Sequence, residues 1–312
     1  MGKLACIFPG QGSQYVGMGQ ELFATPWGKE VFQIGKETLG EEFIRILEEG
    51  PEEELRRTSN TQPAILLTSI AAWRVVEEEG IKPDYFAGHS LGEYSAYVAA
   101  GSLSLKEALL IVRKRGELME EAAPEGQGAM AAILGLEAEK VEEACNNAQS
   151  EGIVGIANYN STGQVVISGE SQAVEKACTI AKEFGARRAI PLAVSGPFHS
   201  PLMVKAGESL RSYLEEISWQ NPRSPIIANV DAQEIKEGRA IVDSLVKQVS
   251  SGVLWEQSLR YLGAQGVDTF IELGPGKVLS GLVRKTLLKV TALNCEDFSS
   301  RKKLLAYLKE SR

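Results

Sequence analysis

Histidine is scarce in this sequence, with two in 312 residues, at positions 89 and 199, which makes the search for a histidine base short. Cysteine is almost as sparse. Cys6, Cys145, Cys178 and Cys295 stand far apart, with no CxxC and no ligand spacing. That excludes a disulfide framework and a thiolate metal site, and it reads as single buried thiols in a reducing compartment. Basic charge is in deficit: 33 Lys and Arg against 41 Asp and Glu leave a net charge of −8. Nucleic acid is therefore not expected as the partner, because phosphate binding needs a basic surface. No apolar run approaches the roughly 20 residues of a membrane span. The longest candidate, 64–73, is interrupted by Thr68 and Ser69, and the first nine residues hold too short an apolar run for a signal peptide. A cytoplasmic protein without membrane association is the simplest expectation.

What is present suits a globular protein that buries a large core without disulfides or a structural metal. Short apolar runs alternate with longer helical patterns, so the fold class is α/β. A strand over 4–8 ends at Pro9-Gly10-Gln11-Gly12-Ser13, and a helix over 62–79, capped by Asn60 or Thr61, ends at Gly80. A strand over 84–89 leads to a helix over 91–100. Ser104 and Glu107 form a capping box for a helix running to about 122, before Pro124. The segment 126–195 then reads as βαββαβ, with strands over 129–134, 153–158, 164–168 and 189–194 and helices over 138–148 and 172–184. That order is the split βαβ, or ferredoxin-like, unit. Beyond it the pattern predicts strands over 226–229 and 269–273 and helices over 202–216, 241–249, 254–262 and 278–289. The expected organisation is a large body, 1–125 and 196–312, with an inserted lobe over 126–195 and the site in the cleft between them.

Gly88-His89-Ser90-Leu91-Gly92 is a G-x-S-x-G sequence placed between a predicted strand and a predicted helix. A nucleophile elbow needs that context, since the sharp turn lifts the serine oxygen above the sheet. The bland alternative is an ordinary turn with Ser90 capping the helix. A serine needs a base. His89 adjoins Ser90 and would point away from it, which leaves His199, where the chain returns from the inserted lobe. No acid precedes His199 closely enough for a triad, so a Ser–His dyad oriented by a carbonyl or amide is expected, with Gln248 as the candidate. Two donors must meet the negative charge on an attacked carbonyl. The backbone N–H of Leu91 is one, and that of Gln11, in the glycine loop after the first strand, is the other. Arg115 rises from an apolar stripe that includes Ile111, Val112, Leu118 and Met119. It is either a structural ion pair or snorkelling cation, or a receptor for a substrate carboxylate. Nucleotide binding is excluded by spacing, since Gly10–Tyr15 and Gly274–Lys277 fail the dinucleotide and P-loop patterns.

These motifs together resemble the malonyl-CoA:acyl carrier protein transacylases and the related acyltransferase domains of polyketide synthases. The matching stretches are Phe8-Pro-Gly-Gln-Gly-Ser-Gln14, Gln62-Pro63, Gly88-His-Ser-Leu-Gly-Glu93, Arg115-Gly116, Gly128-Ala-Met130, Phe198-His199 and Gly274-Pro-Gly-Lys277, in family order along nearly the whole chain. The resemblance implies an α/β-hydrolase-like body with the ferredoxin-like insert. It implies Ser90 as the acylated nucleophile, His199 as base, Gln248 as its orienting residue, and Gln11 and Leu91 as the oxyanion hole. Arg115 would hold the free malonyl carboxylate, with Phe198 and Met119 also against the substrate. Gly196-Pro197 departs from the commonest residues before the Phe-His pair. The implied reaction is malonyl transfer from malonyl-CoA to the phosphopantetheine thiol of acyl carrier protein, without metal or redox cofactor, by a freestanding monomer. The rival readings are a serine esterase or thioesterase and a non-enzymatic carrier-docking module.

Overall fold

The computed structural model describes residues 2–122, 126–193 and 196–311. The chain begins β1 (Lys3–Phe8), α1 (Gln20–Phe23), α2 (Pro26–Glu49), α3 (Glu52–Arg56) and α4 (Thr58–Glu78). It continues β2 (Tyr85–Gly88), α5 (Gly92–Ala99), α6 (Leu105–Ala122), β3 (Gly128–Leu134), α7 (Ala138–Ala148), β4 (Val154–Ser161), β5 (Gln164–Glu170), α8 (Ser171–Glu183) and β6 (Arg188–Pro191). The remainder is α9 (Val204–Glu215), β7 (Ile226–Ile227), β8 (Glu234–Ile235), α10 (Ile241–Ser250), α11 (Trp255–Ala264), β9 (Val267–Leu273), α12 (Val278–Thr286), β10 (Thr291–Cys295) and α13 (Phe298–Ser311).

The described strands form two sheets. The larger has the order β10-β9-β1-β2-β7-β8, parallel except for the antiparallel edge strand β8. Its central strand β1 is apolar on both faces: Leu4, Cys6 and Phe8 join one buried cluster, Ala5 and Ile7 another. A strand buried on both sides reads as a continuous apolar run, which is why it was legible in the sequence. The smaller sheet, β4-β5-β3-β6, is antiparallel throughout and packs α7 and α8 over a separate apolar cluster. Asn158 of β4 bridges to Val253 of the larger part, with Val253 N–H donating to the Ala157 carbonyl at 2.9 Å.

Most sequence expectations hold to within a few residues, and the differences have identifiable causes. The capping box is present, with Glu107 N–H donating to Ser104 Oγ and Ser104 N–H to the Glu107 carboxylate. The helix expected over 62–79 starts earlier, at Thr58, so neither Asn60 nor Thr61 caps it and Pro63 lies inside it. Tertiary contacts fix that first turn instead: Ser59 N–H meets the Glu120 carboxylate, and Asn60 Nδ2 donates to the Glu54 carbonyl. The strand expected over 189–194 runs from Arg188 to Pro191; residue 194 lies outside the described residues, as do Pro124 and the positions 125 and 195 that bound the expected lobe. Absent from the sequence reading were α1, α2, α3, β8, β10 and α13. Helix α2 begins in ordinary fashion, with Thr25 Oγ1 accepting from Gly28 N–H ahead of Pro26. Its glycines hid it, because they weaken helix propensity. Two are packing contacts, since a Cβ on Gly28 would lie 1.9 Å from the Leu22 carbonyl oxygen and one on Gly35 2.6 Å from Leu67, and the third, Gly40, kinks the helix with φ +86°.

Candidate active site

The G-x-S-x-G sequence occupies the turn from β2 into α5. Ser90 has φ +51°, the left-handed region that a side chain adopts only when its surroundings impose it. The flanking glycines are steric necessities. A Cβ on Gly88 would lie 1.9 Å from the carbonyl carbon of Gly92, and one on Gly92 would lie 2.1 Å from the Phe8 carbonyl oxygen. The turn thus crosses the C-terminal end of β1, and Ser90 Oγ projects from it into the cleft.

His199 comes from the turn that precedes α9, and it too is left-handed, with φ +58°. Its Nε2 is 2.7 Å from Ser90 Oγ. The tautomer follows from the other ring nitrogen. Nδ1 faces two acceptors, the Gln248 carbonyl at 2.8 Å and the Ser251 carbonyl at 3.2 Å. Only a protonated Nδ1 can satisfy them, so the Nε2 lone pair points at the serine hydroxyl. Burial, with the Arg115 charge second, lowers the His199 pKa to about 3. The imidazole is therefore neutral and able to accept a proton across the whole physiological range. His89, as expected, turns away from Ser90: its Nε2 pairs with Asn160 Oδ1 of β4 at 2.8 Å, and its ring meets Trp255 edge-on.

A consequence can be measured. Between pH 8 and pH 5 the second-order rate of acylation should not fall, whereas a base with the usual histidine pKa near 6.5 would lose most of its activity there. Rapid-quench acylation across that range tests this; a tenfold fall centred near pH 6.5 would contradict a neutral buried base. Stability carries the opposite mark of the same shift. The unfolded chain protonates His199 below about 6.5, the folded chain only near 3, so this contribution to stability is lost as pH falls through that window.

Arg115 is 1% exposed, and no carboxylate pairs with it among the described ion pairs. Its Nη2 donates to Gln248 Oε1 at 3.0 Å and to Ser90 Oγ at 3.1 Å, its guanidinium lies over the Tyr94 ring, and its Nε has no hydrogen-bond partner. The structural ion pair weighed from the sequence is not found among the described residues. A buried cation beside Ser90, with an unpartnered N–H, has the chemistry to receive an anion there. Gln248, fully buried on α10, is central rather than an exposed helix residue. Its carbonyl holds His199, its Oε1 holds Arg115, and its Nε2 donates to the Ser90 carbonyl at 3.0 Å and to Glu93 Oε2 at 2.8 Å.

Gln11, Leu91, Met119 and Phe198 all line the same cleft of about 90 Å³ with Ser90, His199 and Arg115. Leu91 precedes the first turn of α5, and Gln11 follows β1; neither N–H donates to an acceptor among the described residues. Met130, singled out in the sequence only as part of the Gly128-Ala-Met130 stretch, and Asn158 and Leu192, not singled out there as site residues, also line the cleft from the smaller sheet and its exit. The sequence reading missed Asn229, whose Oδ1 accepts from Ser90 N–H at 2.6 Å and whose Nδ2 donates to the Gly88 carbonyl at 2.7 Å. An asparagine immediately after a short apolar strand was the only available signal. A larger hollow of about 320 Å³, lined by Trp73, Glu77 and Arg223 among others, shares no residue with this cleft, and its one serine, Ser224, donates its hydroxyl to the Pro83 carbonyl.

Known proteins resemble the chain closely. The acyl transferase domain family matches residues 5–303. The chain is 49% identical to the malonyl CoA-acyl carrier protein transacylase of Bacillus subtilis (strain 168) over 312 residues, covering 99% of this chain and 98% of that protein. It is 45% identical to the protein of that name from Escherichia coli (strain K12) over 294 residues, covering 94% and 95%. Among solved structures, a type II PKS acyl-carrier protein in complex with its malonyl-transacylase matches with a TM-score of 0.95 at 43% identity, covering 98% of this chain and 99% of that one.

Proposed function

The chain belongs to the acyl transferase domain family, and from that membership we propose that it carries malonyl from malonyl-CoA to the phosphopantetheine thiol of an acyl carrier protein, through an ester on Ser90. The observation that carries the reading is a single oxygen. Ser90 Oγ lies 2.7 Å from a neutral imidazole nitrogen and 3.1 Å from a buried guanidinium. The imidazole makes it a nucleophile, and the guanidinium selects an acyl group that bears a second negative charge.

The chemistry follows in two matched halves. Ser90 Oγ attacks the thioester carbonyl while His199 Nε2 takes its proton. The imidazolium that forms keeps its Nδ1–H on the Gln248 and Ser251 carbonyls, then gives the Nε2 proton to the departing coenzyme A sulfur. The N–H groups of Leu91 and Gln11 meet the oxyanion. In the second half the carrier thiol gives its proton to His199, attacks the Ser90 ester and leaves with the malonyl group, and Ser90 recovers its proton. Thioester is exchanged for thioester with no change of oxidation state, so neither redox cofactor nor metal is called for.

The strand order β4-β5-β3-β6 within a βαββαβ sequence supports a ferredoxin-like lobe over about 126–195. The parallel sheet, with a nucleophile elbow after β2, supports an α/β-hydrolase-like body over 1–125 and 196–312. Acyl carrier proteins are acidic and this chain carries −8, so docking calls for a local basic surface. Lys182, Arg187 and Arg188 on the lobe and Lys277, Arg284 and Lys285 on the body are exposed and fit that need. A monomer suffices, since every proposed site residue comes from one chain.

Intact mass resolves transfer from hydrolysis. After brief exposure to malonyl-CoA, the protein should gain one malonyl group and keep it until a carrier thiol is added. Loss of the adduct to water at a comparable rate without acceptor would make the protein a thioesterase. Failure to gain any mass would leave a docking module.

A further inference from the structure

We propose that Glu93 is a positioning residue, which holds Gln248 and Asn229 against the nucleophile turn and supplies the buried negative charge that Arg115 faces until a substrate carboxylate arrives. The inference rests on Arg115 receiving that carboxylate. Glu93 lies one turn beyond Ser90 on α5 and is fully buried. Its Oε2 accepts from Gln248 Nε2 at 2.8 Å and from Asn229 N–H at 3.1 Å, and its Oε1 accepts from Tyr97 Oη–H at 3.1 Å. Each of the first two partners touches the reacting residues. Asn229 grips the turn on both sides of His89, at Ser90 N–H and at the Gly88 carbonyl. Gln248 grips the Ser90 carbonyl, the Arg115 guanidinium and, through its own carbonyl, His199. One carboxylate oxygen therefore ties together the two residues that arrange the nucleophile, base and anion receptor.

Charge gives the same carboxylate a second task. Glu93 and Arg115 are both buried, and a single carboxamide, that of Gln248, separates them. An isolated buried guanidinium would be costly, and a carboxylate at this distance offsets its charge without occupying its donors. That leaves Arg115 free to accept a ligand yet not uncompensated before one binds. A malonyl carboxylate would then be a second anion on one cation, and the two carboxylates would oppose each other. Burial raises the Glu93 pKa to about 7 against the lowering effect of its hydrogen bonds and of Arg115, so the charge is present above about pH 7 and the affinities that test it are compared at pH 8.

Two variants separate the tasks. Glu93→Gln keeps an oxygen for Gln248 and Asn229 and presents its amide N–H to Tyr97, while removing the charge. In a Ser90→Ala background, where no transfer follows binding, it should tighten malonyl-CoA by at least about threefold and leave acetyl-CoA unchanged. Equal malonyl-CoA affinity with and without the charge would overturn the electrostatic part. Glu93→Ala strands two buried N–H donors, so kcat should fall at least about tenfold for malonyl-CoA and acetyl-CoA alike, with most of it restored by glutamine. Wild-type kcat in Glu93→Ala would overturn the positioning part; if that variant does not fold, wild-type kcat in Glu93→Gln alongside much-reduced kcat in Asn229→Ala still supports it, and unaltered kcat in Asn229→Ala overturns it. The underlying reading fails separately, if Ser90→Ala itself binds malonyl-CoA no better than acetyl-CoA.

Discussion

Ser90→Ala is expected to abolish the covalent malonyl adduct and to lower transfer by at least about 10³-fold, while leaving the fold in place. The substitution removes one oxygen and no backbone contact. The turn that carries it is held by Asn229 at Ser90 N–H and by Gln248 at the Ser90 carbonyl, and alanine keeps both groups. His199 keeps its two carbonyl partners, so the base should stay where it is. Intact mass after exposure to malonyl-CoA, with thermal unfolding in parallel, checks both halves. A malonyl adduct on the alanine variant would place the nucleophile elsewhere.

Arg115→Ala should divide the two thioesters. Malonyl has a carboxylate that acetyl lacks, and a charge-assisted hydrogen bond is worth about 1.5–3 kcal/mol, with a bidentate pair toward the top of that range or beyond. The expected loss in kcat/KM for malonyl-CoA is on the order of 10²-fold, at about 1.4 kcal/mol per tenfold. Acetyl-CoA should lose little or gain, because the wild-type protein would hold a buried guanidinium with an unused Nε beside that smaller group. Arg115→Lys should recover only part of the malonyl activity, since an ammonium carries the charge without the planar fork. Steady-state kcat/KM for both thioesters in the three proteins is the measurement. A parallel fall would return Arg115 to the structural role that the sequence left open.

The chain alone determined the local devices. The elbow could be read because its glycines and serine sit between a short apolar run and a helical pattern, and the Ser104–Glu107 box because capping is a contact between near neighbours. Histidine scarcity and the elbow geometry limited the base to one residue, and the missing acid near His199 pointed to a dyad oriented by a carbonyl or amide. Only the tertiary structure decided the partners across long separations. Gln248 looked like any helix residue until packing buried it between Ser90, Arg115, Glu93 and His199. Asn229 gave only its place after a short apolar strand and Glu93 no signal of its role, because the hydrogen bonds that tie them to each other, to Gln248 and to the Ser90 turn mostly join residues more than 100 positions apart. The choice at Arg115 was closed to the sequence for the same reason: periodicity shows that a charge leaves an apolar stripe, but only the packed neighbours show that no carboxylate among the described residues pairs with it there.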